Sequence, residues 1–181
     1  MLRWMVLAVV LAACLPAATV LAAETGKGEI GIDAGYADLV DEMGGGGPLA
    51  AVRGGYHFKK WFELEGEAGY IAPDCPEGEC SDLYFGLINF VFNIHPTPGA
   101  VPYLFFGFGY TDFEQEVESS IVLIEDPFEG QALYQVGAGS RFYFGQKKRT
   151  GLRVEVSESF FEDDQSPNAQ AGIVWRLGGG S

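Results

Sequence analysis

From Phe62 to Tyr70 the chain alternates without a break. Phe62, Leu64, Gly66, Ala68 and Tyr70 leave one side, and Glu63, Glu65, Glu67 and Gly69 leave the other. A period of two marks a β-strand, because successive Cβ atoms point to opposite faces. The same rhythm recurs in seven further runs, over Glu29–Ala37, Leu49–Phe58, Asp82–Ile94, Val101–Asp112, Ala132–Phe144, Gly151–Phe160 and Ala169–Leu177. In the first, Ile30, Ile32, Ala34 and Tyr36 oppose Gly31, Asp33 and Gly35. In the fifth, Leu104, Phe106, Phe108 and Tyr110 oppose Phe105, Gly107, Gly109 and Thr111. In the seventh, Leu152, Val154 and Val156 oppose Arg153, Glu155 and Ser157. No amphipathic helical pattern follows the first two dozen residues, so the expected class is all-β and closed.

The connections between the runs also alternate. The odd ones are long, Gly-rich or acidic: a loop after Ala37 that ends in Gly44 to Gly47, the loop from Ala72 to Ser81, the stretch Phe113 to Glu129, and Phe161 to Pro167. The even ones are short and carry Pro or basic residues: Lys59-Lys60-Trp61, His95 to Gly99, and Gly145 to Thr150. A β-sandwich has no need of such asymmetry. An eight-stranded antiparallel up-and-down transmembrane barrel does, with short periplasmic turns, longer outer loops and both termini in the periplasm. On this reading the glutamates of the third run face a polar lumen and Phe62, Leu64 and Tyr70 face lipid. Eight steps of about 3.3 Å, tilted near 45°, rise roughly 19 Å, so rings at Phe62 and Tyr70 reach both interfaces. Tyr36, Tyr56, Phe58, Trp61, Tyr110, Phe144 and Phe160 also fall near run ends.

Composition and the N-terminus give an address. Arg3, the apolar run Trp4 to Ala13 and the small residues around Leu21-Ala22-Ala23 predict a cleaved secretory signal peptide over 1–23, with the barrel domain over 24–181. An uncleaved anchor is the alternative; Pro16 and the Ala-rich end favour cleavage. Leu11-Ala12-Ala13-Cys14 resembles a lipoprotein box, but the apolar run continues past Cys14. In an exported chain the remaining pair, Cys75 and Cys80, is expected to form a disulfide stapling its own short loop. A metal reading of these two lacks a nearby His and enough ligands. The net charge of −14, from 11 Lys and Arg against 25 Asp and Glu, argues against nucleic acid as a partner.

The candidate chemistry lies in the lumen. Parity turns Asp33, Arg53, Glu63, Glu65, Glu67, Arg141, Arg153, Glu155 and Arg176 inward. A three-residue turn at Lys59 to Trp61 sets paired positions of the second and third strands to a constant sum. Arg53 then stands opposite Glu67, and His57 opposite Glu63. Buried charges must be paired or hydrated, so these residues predict a polar-packed lumen with an Arg53–Glu67 ion pair. A carboxylate dyad for glycoside or phosphate chemistry is the sharper alternative, and no substrate-sized cleft is implied. The only histidines, His57 and His95, fall at periplasmic turns, and Ser157 and Ser159 have no His nearby in sequence, so no catalytic triad is expected. No metal or cofactor motif appears; the acidic residues of the outer loops, among them Asp41, Glu42, Glu116, Glu118, Asp163 and Asp164, lack the spacing of a Ca²⁺ loop. Ile121 to Ile124 puts an apolar run in the longest loop.

The chain resembles the small outer-membrane β-barrels of the OmpA/OmpX type over nearly all of its mature length. Val101-Pro102-Tyr103-Leu104-Phe105-Phe106-Gly107-Phe108-Gly109-Tyr110 looks like the PYxxxGxGY strand of such barrels. Gln170, Gly172, Trp175 and Leu177 in the last run resemble the C-terminal sorting signal read by the barrel assembly machinery, followed here by an extra Gly178-Gly179-Gly180-Ser181. The resemblance implies a bacterial outer-membrane location, contact with outer-membrane lipid and lipopolysaccharide, and insertion through that machinery; a monomer is expected. It implies no single activity, since structural anchors, adhesins and lipid-modifying enzymes share the fold. The expected role is envelope structure or surface interaction; a small pore, a lipid A-modifying enzyme and a soluble periplasmic barrel are the alternatives. A lipid A deacylase of the barrel type would call for a His-x-Ser-Asn stretch, which the sequence lacks.

Overall fold

The computed structural model describes residues 26–38, 46–72, 82–94, 96, 99–114, 131–145, 148–161 and 165–177. Eight strands make up these segments: β1 (Gly28–Ala37), β2 (Gly47–Lys59), β3 (Phe62–Ile71), β4 (Asp82–Asn93), β5 (Ala100–Glu114), β6 (Gln131–Phe144), β7 (Thr150–Phe160) and β8 (Gln165–Leu177). Each pairs antiparallel with its neighbours in sequence, and β1 closes the ring by pairing with β8 from Gly28↔Leu177 to Ala37↔Asn168. Closure leaves no unpaired edge, so every strand interior satisfies its backbone groups within the wall, as a hydrocarbon surrounding demands. The expected eight-stranded antiparallel barrel is the observed fold.

The alternation sorts side chains as the sequence implies. Ile32, Val52, Leu104, Val136 and Ile173 lie on the exposed outer wall, while the intervening polar residues are buried inside. Aromatic rings gather on the outer wall at both ends. Phe58, Trp61, Phe62 and Phe92 form a seam around the β2–β3 turn, with Trp61 and Phe92 stacked at 6.4 Å. At the opposite, loop end, Tyr70 and Tyr84 approach to 5.2 Å, and Tyr36 and Tyr134 project outward. Two aromatic belts around an apolar band are the pattern of a wall set in a bilayer, where amphipathic rings sit at the headgroup level.

Strand boundaries differ from expectation in two places. β5 runs on to Glu114, two residues past the expected Asp112. β8 begins at Gln165 rather than Ala169, so the acidic loop expected to reach Pro167 is shorter. Pro167 argued for a break because it lacks an N–H. It is accommodated because its carbonyl still accepts from Asp38 N–H at 2.9 Å, while Ser166 and Asn168 beside it turn inward and are buried. The polar pair Ser166 and Asn168 continues the inward parity of Gln170. The predicted leader over 1–23, Cys75 and Cys80, His95, the run Ile121 to Ile124, the six loop acids named above and Gly178 to Ser181 all lie outside the described residues.

Candidate functional site: the packed lumen

The inside of the barrel is filled in three levels. The middle level is built around Arg53 of β2. Its Nε lies 2.8 Å from Asp33 Oδ2 on β1, and its Nη1 lies 3.1 Å from Glu65 Oε1 on β3. Its Nη2 lies 3.0 Å from both Glu67 Oε1 and Glu155 Oε1, and donates to Gln170 Oε1 at 2.9 Å. Arg153 of β7 bridges Glu65 at 2.6 Å and Glu155 at 2.5 Å. Tyr103 of β5 completes this level: its hydroxyl donates to Glu155 Oε2 at 2.7 Å, and the guanidinium groups of Arg141 (4.7 Å) and Arg153 (5.0 Å) both lie over its ring. Asn89 donates to Glu67 Oε2 at 2.9 Å. Charges from β1, β2, β3 and β7 are thus tied across the lumen, each guanidinium spending its planar fork on several carboxylates.

The lower level lies at the end carrying the short turns. Arg141 of β6 reaches Glu63 Oε2 at 2.7 Å and Glu29 Oε1 at 3.2 Å. Tyr143 donates its hydroxyl to Glu29. Arg176 stacks over the Tyr143 ring at 3.4 Å and closes the mouth. His57 sits among these groups, buried and still within β2, where the sequence reading had placed it at a turn. The β2–β3 register pairs it with Glu63, as it pairs Arg53 with Glu67.

The upper level departs from the expected polar packing. Leu49, Ile71, Leu83, Phe85, Leu87, Leu133 and Phe161 form a buried apolar cluster in the loop half of the lumen. Polar groups flank it on the β6–β8 side, where Gln135 donates to Ser157 at 3.0 Å and Asn168 donates to Ser159 at 2.8 Å, and on β5, where buried Thr111 donates to the Tyr84 carbonyl at 3.1 Å. Paired charges fill the lower two levels, and apolar side chains fill the upper one, where polar packing was expected. Leu49, Ile71, Leu83, Phe85, Leu87 and Leu133 are inward by the same parity as the charges, and the polar-packing expectation rested on the charged residues of that face alone. The cavity left among these residues, beside Gln135, Ser159 and Ser166, is about 10 Å³, close to the space of a single water.

Small residues on the inner wall make room for the large ones. A side chain on Gly139 would run into the Tyr103 ring and the Val154 carbonyl, and one on Gly107 would run into Asn89. This is the small-against-large alternation that fills a narrow barrel. Of the residues resembling a sorting signal, Gln170 accepts from Arg53, Gly172 stands opposite Asp33 on β1, Trp175 is opposite Thr150 on β7, and Leu177 is exposed on the outer wall at the strand end. The roles of Tyr103, Asn89, Gln135 and Glu29 were not singled out from sequence. Each sits at an inward position, and that parity is the only signal that could have found it.

A closed eight-stranded wall, apolar outside with aromatic belts and filled inside, defines an integral membrane β-barrel. The family model for the outer membrane protein beta-barrel domain matches residues 5–176, and the chain belongs to that family. It is a protein of the bacterial outer membrane. No curated protein matches the sequence. Among solved structures, Neisserial surface protein A matches with a TM-score of 0.68 at 13% identity, covering 83% of this chain and 97% of that one. Ail, the attachment invasion locus protein of Yersinia pestis, matches at 0.56 and 15% identity, covering 85% and 100%. The N-terminal β-barrel domain of Pseudomonas aeruginosa OprF matches at 0.55 and 16%, covering 84% and 100%. At these identities the likeness is one of fold.

Proposed function

We propose that this outer-membrane barrel is a non-conducting wall element whose outer loops carry a structural or surface-interaction role. The observation that carries this reading is the double closure of the lumen, by an ion-pair lattice in the lower two levels and by an apolar plug above them. Water and ions need a continuous polar path, and the space left in the upper level is about 10 Å³. Interaction is then left to the surfaces the wall presents: the lipid-facing belts and the loops. Ail, a protein named for attachment and invasion, shares this fold. A pore is the competing reading. An enzymatic role finds no support in the described lumen, where Ser157 and Ser159 bond with Gln135 and Asn168, and His57 lies among carboxylates two levels lower.

The same reading includes cleavage of 1–23 on export, a Cys75–Cys80 disulfide formed during passage through the oxidising periplasm, recognition of the last strand by the assembly machinery, contact with lipopolysaccharide, and a monomeric state. The test has two arms. In planar bilayers the refolded protein is expected to give no stable channel steps; steady unitary conductance overturns the reading in favour of a pore. On cells, shortening the loop between β5 and β6 is expected to abolish surface binding while the barrel still shows heat-modifiable migration. Binding unaffected by removal of each outer loop in turn would refute the loop assignment.

A further inference from the structure

The lower level of the lumen contains a donor set that packing alone does not explain. Glu29, His57 and Glu63 come from three successive strands, and one ligand atom from each lies within 4.8 Å of the others. His57 and Glu63 are direct partners in the register, and Glu29 faces Gly55, two residues along β2 from His57. All three are buried, His57 to 1% exposure. A buried imidazole ordinarily donates from one ring nitrogen and accepts at the other. Here neither nitrogen makes a hydrogen bond. Nδ1 stands 3.4 Å from Glu63 Oε2 and Nε2 stands 3.8 Å from Glu29 Oε2. Glu63 Oε1 is unpaired as well. Unpaired buried polar atoms are costly, and an imidazole with both nitrogens unbonded between two carboxylates calls for a partner.

We propose that Glu29, His57 and Glu63 form a binding site for one divalent transition-metal cation of the Zn²⁺ class. One imidazole with two carboxylates is a donor set that zinc accepts, and the imidazole selects against Ca²⁺ and Mg²⁺, which take oxygen ligands. The surrounding groups act as outer partners that fix such ligands. Arg141 takes Glu29 Oε1 and Glu63 Oε2, and the Tyr143 hydroxyl donates to Glu29 Oε2, the oxygen nearest His57 Nε2. Charge supports the same cation. The described lumen buries six carboxylates, Glu29, Asp33, Glu63, Glu65, Glu67 and Glu155. Against them stand four guanidinium groups, the buried Arg53, Arg141 and Arg153 together with Arg176 at the mouth. The carboxylates outnumber the guanidinium groups, and a divalent cation offsets that excess. The site lies one layer inside the turn end, behind Arg176, so the cation enters from the periplasm.

The test uses the barrel refolded in detergent micelles, stripped with a chelator and titrated with Zn²⁺ by calorimetry, with bound metal counted by elemental analysis. One Zn²⁺ per chain is expected for the wild type and for His95→Ala, and none for His57→Ala. Tyr143→Phe, which removes an outer partner, is expected to weaken binding by about 10-fold or more. Heat-modifiable migration of each variant reports that the barrel has formed. Where a variant fails to fold, the wild type decides: Zn²⁺ must shift the imidazole ¹⁵N resonances of His57. The proposal is overturned if the wild type takes up no zinc, if His57→Ala binds zinc as the wild type does, which would place the metal on the outer loops, or if the His57 resonances do not move.

Discussion

Arg53 on β2 and Glu67 on β3 are direct cross-strand partners, with Nη2 of one 3.0 Å from Oε1 of the other. The pair is the edge of a larger assembly, because the same guanidinium also holds Asp33, Glu65 and Glu155. Removing the arginine and removing one carboxylate are therefore unequal events. Arg53→Met takes the guanidinium from Asp33 and Glu67 and leaves Glu65 and Glu155 to Arg153, and is expected to cost about 3–5 kcal/mol. Glu67→Gln leaves Arg53 with three acids and is expected to cost about 1 kcal/mol. Urea unfolding in lipid vesicles, followed by tryptophan fluorescence, reads both. Equal costs would show that the lattice behaves as isolated pairs.

Tyr103 and Gly139 test the packing beneath that lattice. The ring of Tyr103 occupies the space a side chain on Gly139 would need. Gly139→Ala is expected to lower stability by about 1–3 kcal/mol through overpacking. Adding Tyr103→Leu to Gly139→Ala is expected to recover part of that loss, although Tyr103→Leu alone is destabilising because it strips Glu155 of a hydroxyl donor. A double-mutant cycle on the unfolding midpoints measures the coupling. Strict additivity would mean the two residues do not share the space.

Two seals in series make a further prediction. Phe85 and Leu133 belong to the upper apolar cluster, and the ion-pair lattice lies below them. Phe85→Ala and Leu133→Ala are each expected to cost about 2–5 kcal/mol by opening a cavity. The double variant is nonetheless expected to show no unitary conductance, since Arg53, Arg153 and their carboxylates still block the lumen. Channel steps in this variant would locate the only seal in the upper cluster.

Strand number, inward parity and the β2–β3 register were legible because each rests on a short-range rule. Alternation fixes the face, and turn length fixes the partner, so Arg53↔Glu67 and His57↔Glu63 follow from residues within fifteen positions of one another. The partners across the lumen did not follow. Arg53 reaches Glu155 from 102 positions away, and Arg141 reaches Glu63 from 78. Those distances depend on strand tilt and stagger around the whole ring, which no local pattern encodes. The apolar upper level escaped for a different reason. Hydrophobicity on a membrane strand has two possible destinations, lipid or plug, and Leu83, Phe85 and Leu87 look the same for either until parity is carried through from Asn89. The convergence of Glu29 on His57 was hidden likewise, because β1 and β2 are joined by a long loop that leaves their register open.

The outer wall yields a prediction that depends on depth and not on neighbours. Ile32 lies midway along β1, is 51% exposed, and is flanked by Val52 on β2 and Ile173 on β8, so it faces the apolar band. Tyr36 is four residues further along the same strand and the same face, in the belt at the loop end. An arginine at Ile32 must desolvate its charge in hydrocarbon, whereas one at Tyr36 reaches the headgroups. Ile32→Arg is expected to destabilise the barrel by about 2–4 kcal/mol and Tyr36→Arg by about 0–1 kcal/mol beyond the loss of its ring. The control is Asp33→Asn, which changes charge on the opposite face of the same strand and acts through Arg53. Its effect is expected to be the same in thin and thick bilayers, while the Ile32→Arg cost grows with bilayer thickness. Unfolding midpoints in vesicles of short- and long-chain lipids separate the two. An Ile32→Arg cost that ignores lipid length would place that face of β1 out of contact with the bilayer.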